Sequence, residues 1–204
     1  SHHIEIAMQY SVELDSPQYS FHGGFLIDPK ITELGKTIEN KKLYDRKEAL
    51  KVFIDRLNTV SERAKKLGVS LLIENNVLSK KNLYEFKSNP FLMVDKDECN
   101  YVMRQTPSNI GLLLDFGHLK VSSKTMCFNP VKFLHECNEW ICGYHLSDNN
   151  GSEDSNNKVT ENSWFWSYIK TNLNYYSLEV SDISNGDFLE QTILSKKFIE
   201  KKYE

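Results

Sequence analysis

Cysteine is scarce in this sequence of 204 residues, which contains four cysteines and no Cys-x-x-Cys pair. That density is far below the density of a disulfide-stabilised scaffold, so we expect reduced thiols and a cytoplasmic protein. Cys142 is expected to be buried because it stands in an apolar run. The predicted free thiols are Cys99, Cys127, Cys137 and Cys142.

Long apolar runs and an excess of basic charge are also missing. No segment approaches the roughly 20 consecutive apolar residues that cross a bilayer, so we expect no membrane partner. Lys and Arg number 25 against 28 Asp and Glu, which gives a net charge of −3. This balance argues against nucleic acid as a partner. Since no linker or low-complexity tract divides the sequence, we take residues 1–204 as a single domain.

Five short apolar segments that end in a polar residue predict β-strands. Their near-continuous apolar character is typical of strands buried on both faces of a parallel sheet. Helical stretches separate them and no hairpin signal occurs, so the sequence predicts an α/β fold with parallel strands. The predicted strands are 19–24, 69–74, 110–115, 141–145 and 175–179.

Helix ends are marked by capping signals. Asp45 and Glu48 have capping-box spacing, and Gly68 ends the helix that follows. Asn129 followed by Pro130 predicts another helix start. The apolar stripe of the first helix is predicted to comprise Ala49, Val52, Phe53, Leu57, Val60 and Ala64. In a final helix predicted from Asp187 to about Lys202, the inward residues are expected to be Phe188, Ile193, Leu194 and Phe198.

Each predicted strand has a histidine, glutamate or aspartate at or near its carboxyl end. Functional groups gather at this edge in parallel α/β proteins, and the candidates are separated by roughly 30 to 50 residues, about one βα unit. Each also has a structural reading, such as a turn-initiating role for Asp115. An unpaired carboxylate at a buried strand end needs a cation, hydrogen-bond donors or a raised pKa. The candidates are His22, Glu74, Asp115, His145 and Glu179.

The acidic and imidazole groups among these candidates suit a divalent metal. Two glutamates, one aspartate and one histidine supply three oxygen donors and one nitrogen donor, which suit Mn²⁺, Mg²⁺, Co²⁺ or Zn²⁺. The set contains no thiolate, which argues against a structural zinc site. The sequence therefore predicts one divalent metal ion as cofactor.

These segments resemble the xylose isomerase-like TIM-barrel superfamily, which includes sugar (phosphate) isomerases and epimerases and zinc-dependent apurinic endonucleases. The resemblance runs from about Tyr19 to Val180. Segment 20–24 (SFHGG) is similar to the strand that precedes the first glutamate of such barrels. The remaining motifs are 71–75 (LLIEN), 113–118 (LLDFGH), 145–151 (HLSDNNG) and 177–179 (SLE).

The resemblance implies a role for each polar residue of these motifs. The implied metal ligands are Glu74, Asp115, His145 and Glu179. The implied catalytic residues are Glu74, Glu179 and His118, and the implied substrate-binding residues are His22, His118 and Asp148. Where a second metal exists, the resemblance implies that His118 and His22 contact it instead.

The resemblance also implies a (β/α)8 TIM barrel that lacks its first three strands, because the five strands correspond to the fourth to eighth of eight. Either the domain is truncated at its N terminus, or the barrel is incomplete and a partner covers its open side. Five strands with exposed edges would be an aggregation liability. We take truncation as the interpretation, and a homo-oligomer stays open as a partner.

The function implied by the resemblance is that of a metal-dependent sugar (or sugar phosphate) isomerase/epimerase, which transfers protons through an enediolate and has a small-molecule sugar as substrate. Two alternatives stay open. A zinc-dependent apurinic endonuclease-like phosphodiesterase needs additional zinc ligands, but Asn156 stands where many members carry a histidine. A degenerate, non-catalytic barrel would keep the fold and serve only for binding.

Overall fold

The computed structural model describes residues 2–28, 42–181 and 188–203. Five parallel strands in these residues form a half-barrel sheet in the order β1-β2-β3-β4-β5. The α/β fold and its parallel strands are thereby confirmed, with bounds within two residues of those predicted. The strands are β1 (Gln18–His22), β2 (Ser70–Glu74), β3 (Ile110–Asp115), β4 (Ile141–Leu146) and β5 (Tyr175–Leu178).

α-Helices lie between the successive strands from β1 to β4, whereas the connection from β4 to β5 contains a short 3₁₀ helix, Trp166–Tyr168. None of the helices in the described ranges is both long enough and apolar enough to cross a membrane. The helices are α1 (His2–Glu13), α2 (Arg46–Leu67), α3 (Lys80–Phe86), α4 (Lys96–Arg104), α5 (Phe116–Met126), α6 (Pro130–Glu136) and α7 (Phe188–Tyr203).

The capping signals of α2 and α6 predict their ends correctly. The Asp45 side chain accepts hydrogen bonds from two backbone amides at the start of α2, and Gly68 ends it with a φ of 70°, a left-handed conformation that favours glycine. Asn129 caps α6, with proline as its first residue. The predicted stripe of α2 is wrong at Val52, which is 57% exposed, because the buried face follows Leu57, Ser61 and Ala64 instead.

The hydrophobic core lies between the sheet and its helices. Alternate residues of β2 and β3 supply its centre, and these side chains are fully buried: Leu71, Ile73, Leu112 and Leu114. Phe116 extends the core to the start of α5, where its ring stacks on Tyr144 at 5.1 Å and on Phe165 at 4.7 Å between centroids. Large apolar side chains thus pack directly behind the carboxyl ends of β3 and β4.

A register irregularity between β3 and β4 overturns the expectation that Cys142 is buried. Leu112 pairs with Ile141 whereas Leu113 pairs with Gly143, so Cys142 is the extra residue of a bulge. Its side chain is exposed and turns towards Gly111, where an added Cβ would lie 2.6 Å from the Cys142 sulfur. An apolar sequence context therefore does not guarantee burial for a residue that has no partner in the pairing of β3 with β4.

The final helix faces the sheet with a different side from the one predicted. Ile193 is 42% exposed and Leu194 is 49% exposed, while Gln191 and Ser195 are buried. The ring of Phe198 lies 5.4 Å from that of Trp166, in agreement with its predicted inward position. The predicted start at Asp187 and the side chain of Phe188 lie outside the described residues.

Candidate metal centre

Four of the predicted site residues meet at the carboxyl edge of the sheet. Glu74 and Asp115 are the last residues of β2 and β3, His145 is the penultimate residue of β4, and Glu179 directly follows β5. Asp115 pairs with His145 in register, so neighbouring strands deliver their side chains at the same level. Each of the four offers one ligand atom, and these atoms all lie within 4.8 Å of one another.

One ring nitrogen, Nδ1 of His145, lies close to all three carboxylates of this cluster. Nδ1 of His145 lies 3.1 Å from Oε1 of Glu74, 3.0 Å from Oε2 of Glu179 and 3.9 Å from Oδ2 of Asp115. A ring nitrogen carries at most one proton and can donate it to one of these oxygens. Three carboxylates therefore compete for a single donor.

Two buried oxygens of the cluster fit a bound cation. Oδ2 of Asp115 and Oε2 of Glu179 are buried, and among the described residues neither has a hydrogen bond of good geometry. Burying a carboxylate oxygen without a partner is unfavourable unless a donor or a cation compensates. The oxygen-rich ligand set, with one imidazole, suits a divalent ion. The residues present thus fit the predicted divalent metal.

The two carboxylate oxygens of Asp115 have different roles. One accepts a backbone hydrogen bond, and the other faces the cluster. Oδ1 of Asp115 accepts a hydrogen bond of 2.6 Å from the backbone amide of His118 and caps α5. Asn75 Oδ1 accepts from the Asp115 amide at 2.8 Å, and Asn75 Nδ2 donates to the Asp115 carbonyl at 3.2 Å. These bonds fix the ends of β2 and β3 together. The capping and metal-binding readings of Asp115 are therefore compatible, and Asn75 is a supporting residue that the sequence did not single out.

The electrostatics of the cluster reflect crowded carboxylates. Burial raises the pKa of Asp115 to about 7, with His118 opposing and Glu74 reinforcing the rise. Burial lowers the pKa of His145, but the adjacent Glu179 and Glu74 outweigh it and raise the pKa to about 10. His145, 3.0 Å away, in turn lowers the pKa of Glu179. A divalent ion would relieve this crowding by replacing protons with positive charge.

His22 and His118 lie beside the cluster on the Glu74 side. Nδ1 of His22 is 3.4 Å from Oε2 of Glu74, and the His22 side chain is 54% exposed. The two imidazole rings lie 5.7 Å apart at 31°. His118 is buried, and its Nε2 lies 3.1 Å from Oδ2 of Asp154. Burial lowers the pKa of His118, but Asp115, Asp154 and Glu74 together raise it well above its usual value.

The family described as "Xylose isomerase-like TIM barrel" matches residues 2–171. The chain belongs to the xylose isomerase-like TIM-barrel family. The predicted resemblance is thereby confirmed. A search among curated proteins gave no match.

Solved structures place the chain in the same fold. A D-tagatose 3-epimerase-like protein has a TM-score of 0.65 at 20% identity, covering 96% of this chain and 67% of that one. D-Psicose 3-epimerase from Clostridium cellulolyticum H10, solved with D-tagatose, has a TM-score of 0.63 at 15% identity, covering 98% and 69%. AP endonuclease family 2 from Brucella melitensis has a TM-score of 0.63 at 14% identity, covering 96% and 66%. The chain thus spans about two thirds of these structures, and identities this low show the fold alone.

Asp148, which was predicted to bind substrate, ties the loop after β4 of this xylose isomerase-like half-barrel to α5. Its Oδ1 lies 2.6 Å from Nζ of Lys120 and also accepts a hydrogen bond from the Asn149 amide. Asp148 and Asn157 exchange backbone hydrogen bonds of 3.0 and 2.7 Å. The described contacts of Asp148 are therefore with α5 and its own loop, and a role in substrate binding stays a prediction.

Asp154 is the residue beside the cluster that the sequence did not identify as part of the site. It follows no strand and lies in a loop rich in Asn and Ser, so the strand-end rule cannot find it. The only signal in the sequence is its place two residues before Asn156. Asn156 itself has a φ of 46°, and its Oδ1 is 3.4 Å from the Ser147 hydroxyl that donates to it.

Proposed function

We propose that this chain is a divalent-metal-dependent isomerase or epimerase of a sugar or sugar phosphate that works by proton transfer. The observation that carries the proposal is the convergence of Glu74 and Glu179 on one centre from both sides of β4. Exchanging a proton at a carbon next to a carbonyl needs an acceptor and a donor that both reach the substrate. The family and its sugar-epimerase neighbours support this reaction class.

The metal would be held by four side chains: Glu74, Asp115, His145 and Glu179. When bound, a divalent ion polarises a ketose carbonyl and so makes the neighbouring C–H bond more acidic. The two oxygens without good hydrogen bonds, on Asp115 and Glu179, are the strongest support for this assignment.

Glu179 is the carboxylate placed best to accept the substrate proton. Its side chain is 40% exposed, whereas that of Glu74 is 5% exposed, so a ligand from solvent reaches Glu179 first. Glu74 would return a proton from the other side of the site. Return to the same carbon on the opposite face gives epimerisation, and return to the neighbouring carbon of the enediolate gives isomerisation.

The apurinic endonuclease alternative receives less support from the site. Its additional zinc ligands would include a histidine where this chain has Asn156, whose side chain is tied to Ser147. The acidic net charge of −3 also gives no electrostatic attraction to a phosphodiester backbone. The likeness to the Brucella structure concerns the fold and is shared with the epimerases.

Solvent deuterium exchange tests the proposal directly. The purified chain is incubated in D₂O with Mn²⁺ and either D-tagatose or D-fructose, and NMR follows both deuterium entry next to the carbonyl and the appearance of an epimer. Glu179→Gln should reduce exchange by about 10²-fold or more, the usual contribution of a general base. Glu161→Gln, which removes an equal charge from an exposed residue, should leave the rate unchanged.

Two results would contradict the assignment. Equal exchange in Glu179→Gln and the unsubstituted chain would remove Glu179 from the mechanism. Tight Mn²⁺ binding with no deuterium exchange into D-tagatose, D-fructose or their phosphate esters, assayed in the same way, would favour the non-catalytic barrel.

A further inference from the structure

His118 is held by the protein at both ring nitrogens. Nδ1 lies 2.8 Å from the carbonyl oxygen of Asn75, and Nε2 lies 3.1 Å from Oδ2 of Asp154. The His118 side chain is 4% exposed, so water does not compete for these contacts. The orientation of the imidazole is thus set by two oxygen acceptors on opposite sides of the ring.

The chemistry of the two acceptors fixes what the ring can do. A backbone carbonyl can only accept a hydrogen bond, so Nδ1 donates to Asn75, and Nε2 lies at hydrogen-bond distance from the Asp154 carboxyl group. In this arrangement both ring nitrogens of His118 face oxygen atoms of the protein.

We infer that Asp154 is a positioning residue that holds His118 as a fixed hydrogen-bond donor beside Glu74. Nδ1 of His118 donates to Asn75 and lies 3.4 Å from Oε1 of Glu74, the carboxylate that also approaches His145. A ring fixed in this way keeps its place beside Glu74 while a proton moves. The consequence for catalysis rests on the proposed function, whereas the hydrogen bond itself does not.

The loop that carries Asp154 is anchored without the help of Asp154. Nζ of Lys120 lies 2.6 Å from Oδ1 of Asp148, and Nζ of Lys124 donates to the Asn150 carbonyl at 2.7 Å. Both lysines belong to α5, the helix that also carries His118. Helix α5 therefore fixes both His118 and the loop that brings Asp154 to it.

Asp154 is also poorly explained as a purely structural residue. Its Oδ1 is buried and has no hydrogen-bond partner among the described residues. A half-satisfied carboxylate is an unfavourable choice where stability alone is at issue, since a buried acceptor without a partner destabilises the fold. The contact with His118 is the interaction that accounts for its presence.

The exchange of the His118 Nε2 proton with solvent tests this inference without metal or substrate. In ¹⁵N-edited NMR of the full chain, a hydrogen-bonded and buried Nε2–H should give a slowly exchanging signal. Asp154→Ala should accelerate its exchange at least tenfold, Asp154→Asn should keep most of the protection because its amide oxygen still accepts, and Glu153→Ala should have no effect. Glu153 is the matched control because it is the exposed neighbour in the same loop.

The activity readout separates positioning from direct substrate contact. Asp154→Ala should lower kcat by about ten- to a hundredfold, the effect of losing one hydrogen bond to a charged group, with KM nearly unchanged. Asp154→Asn should recover part of the loss. A rise in KM with unchanged kcat would overturn the inference, because it would mean that Asp154 binds substrate.

Failure of this inference is distinguishable from failure of the proposed function. If the ring proton behaves as expected but no ketose exchanges deuterium, the positioning role stands and the epimerase assignment falls. If Nε2–H exchanges equally fast in Asp154→Ala and the unsubstituted chain, the positioning role is wrong whatever the activity. Should circular dichroism show that Asp154→Ala is unfolded, the absence of a protected His118 Nε2–H in the unsubstituted chain overturns the inference.

Discussion

Replacing Asp115 with Asn should stabilise the metal-free protein and abolish its stabilisation by metal. Asp115 is fully buried beside Glu74 and Glu179, and its Oδ2 has no hydrogen bond of good geometry among the described residues. An Asn side chain keeps the Oδ1 that caps α5 at the His118 amide, so the local backbone should not change. What the substitution removes is a buried negative charge.

The size of the effect follows from the pKa of Asp115. Burial raises this pKa from its usual 3.8 to about 7. A tenfold change in an acid dissociation constant corresponds to about 1.4 kcal/mol, so the ionised group destabilises the fold by on the order of 4 kcal/mol above pH 7. The buried amide of Asn carries its own smaller desolvation penalty. We therefore expect a net gain of about 1 to 3 kcal/mol in the free energy of unfolding at pH 8.

The pH dependence of this gain has a definite sign. Below pH 4 the carboxyl group is protonated in both the folded and the unfolded chain, so Asp115 contributes no penalty there. Between pH 4 and pH 7 the unfolded chain loses its proton while the folded chain retains it, and the penalty grows. The gain from Asp115→Asn should therefore be absent near pH 4 and complete above pH 7.

Urea denaturation with EDTA, and again with Mn²⁺, measures both halves of the prediction. Mn²⁺ at about 100 times its Kd should add about 2.7 kcal/mol to the unsubstituted chain and little to the variant. Asp55→Asn, an exposed position on α2, is the control for a change in net charge. The reasoning is refuted if Asp115→Asn is less stable than the unsubstituted chain in EDTA at pH 8, or if Mn²⁺ stabilises both equally.

Two further predictions concern a ligand and the thiols. His145→Ala should weaken Mn²⁺ binding by at least about 100-fold, beyond the usual effect of a supporting residue, and unchanged metal content by elemental analysis would contradict this. Iodoacetamide should alkylate the exposed Cys127 first. Buried Cys99 and Cys137 should react only in urea, because burial raises the pKa of Cys137 to about 12 and that of Cys99 well above its usual value. Mass spectrometry that found Cys99 labelled as fast as Cys127 in the folded chain would oppose this.

The residues at the carboxyl ends of the strands were predictable because parallel strands all end at the same edge of the sheet. A run such as 71–73, followed by Glu74, predicts both a buried strand and the end at which its carboxylate emerges. The same rule placed Asp115, His145 and Glu179, and the structure brings them to one centre. Asp154 could not be found in this way, since the path of a loop depends on contacts such as that of Lys120 with Asp148.

Side chains whose burial depends on neighbouring elements were predicted less well. Cys142 is exposed because β4 carries one residue more than β3 at that level. Ile193 and Leu194 are exposed because the buried face of α7 carries Gln191 and Ser195. In each case the local apolar pattern predicts a buried side chain, but the packing of elements distant in the sequence decides its exposure.

The order of residue types along the chain determined the α/β class, the five strands and the chemistry that each strand end offers. Those properties follow from short-range periodicity and capping, which act within a few residues. The tertiary structure alone decided that one histidine nitrogen stands among three carboxylates, and that the His118 ring lies between Asn75 and Asp154. Such arrangements depend on ångström-scale distances between segments that only the packed sheet brings together.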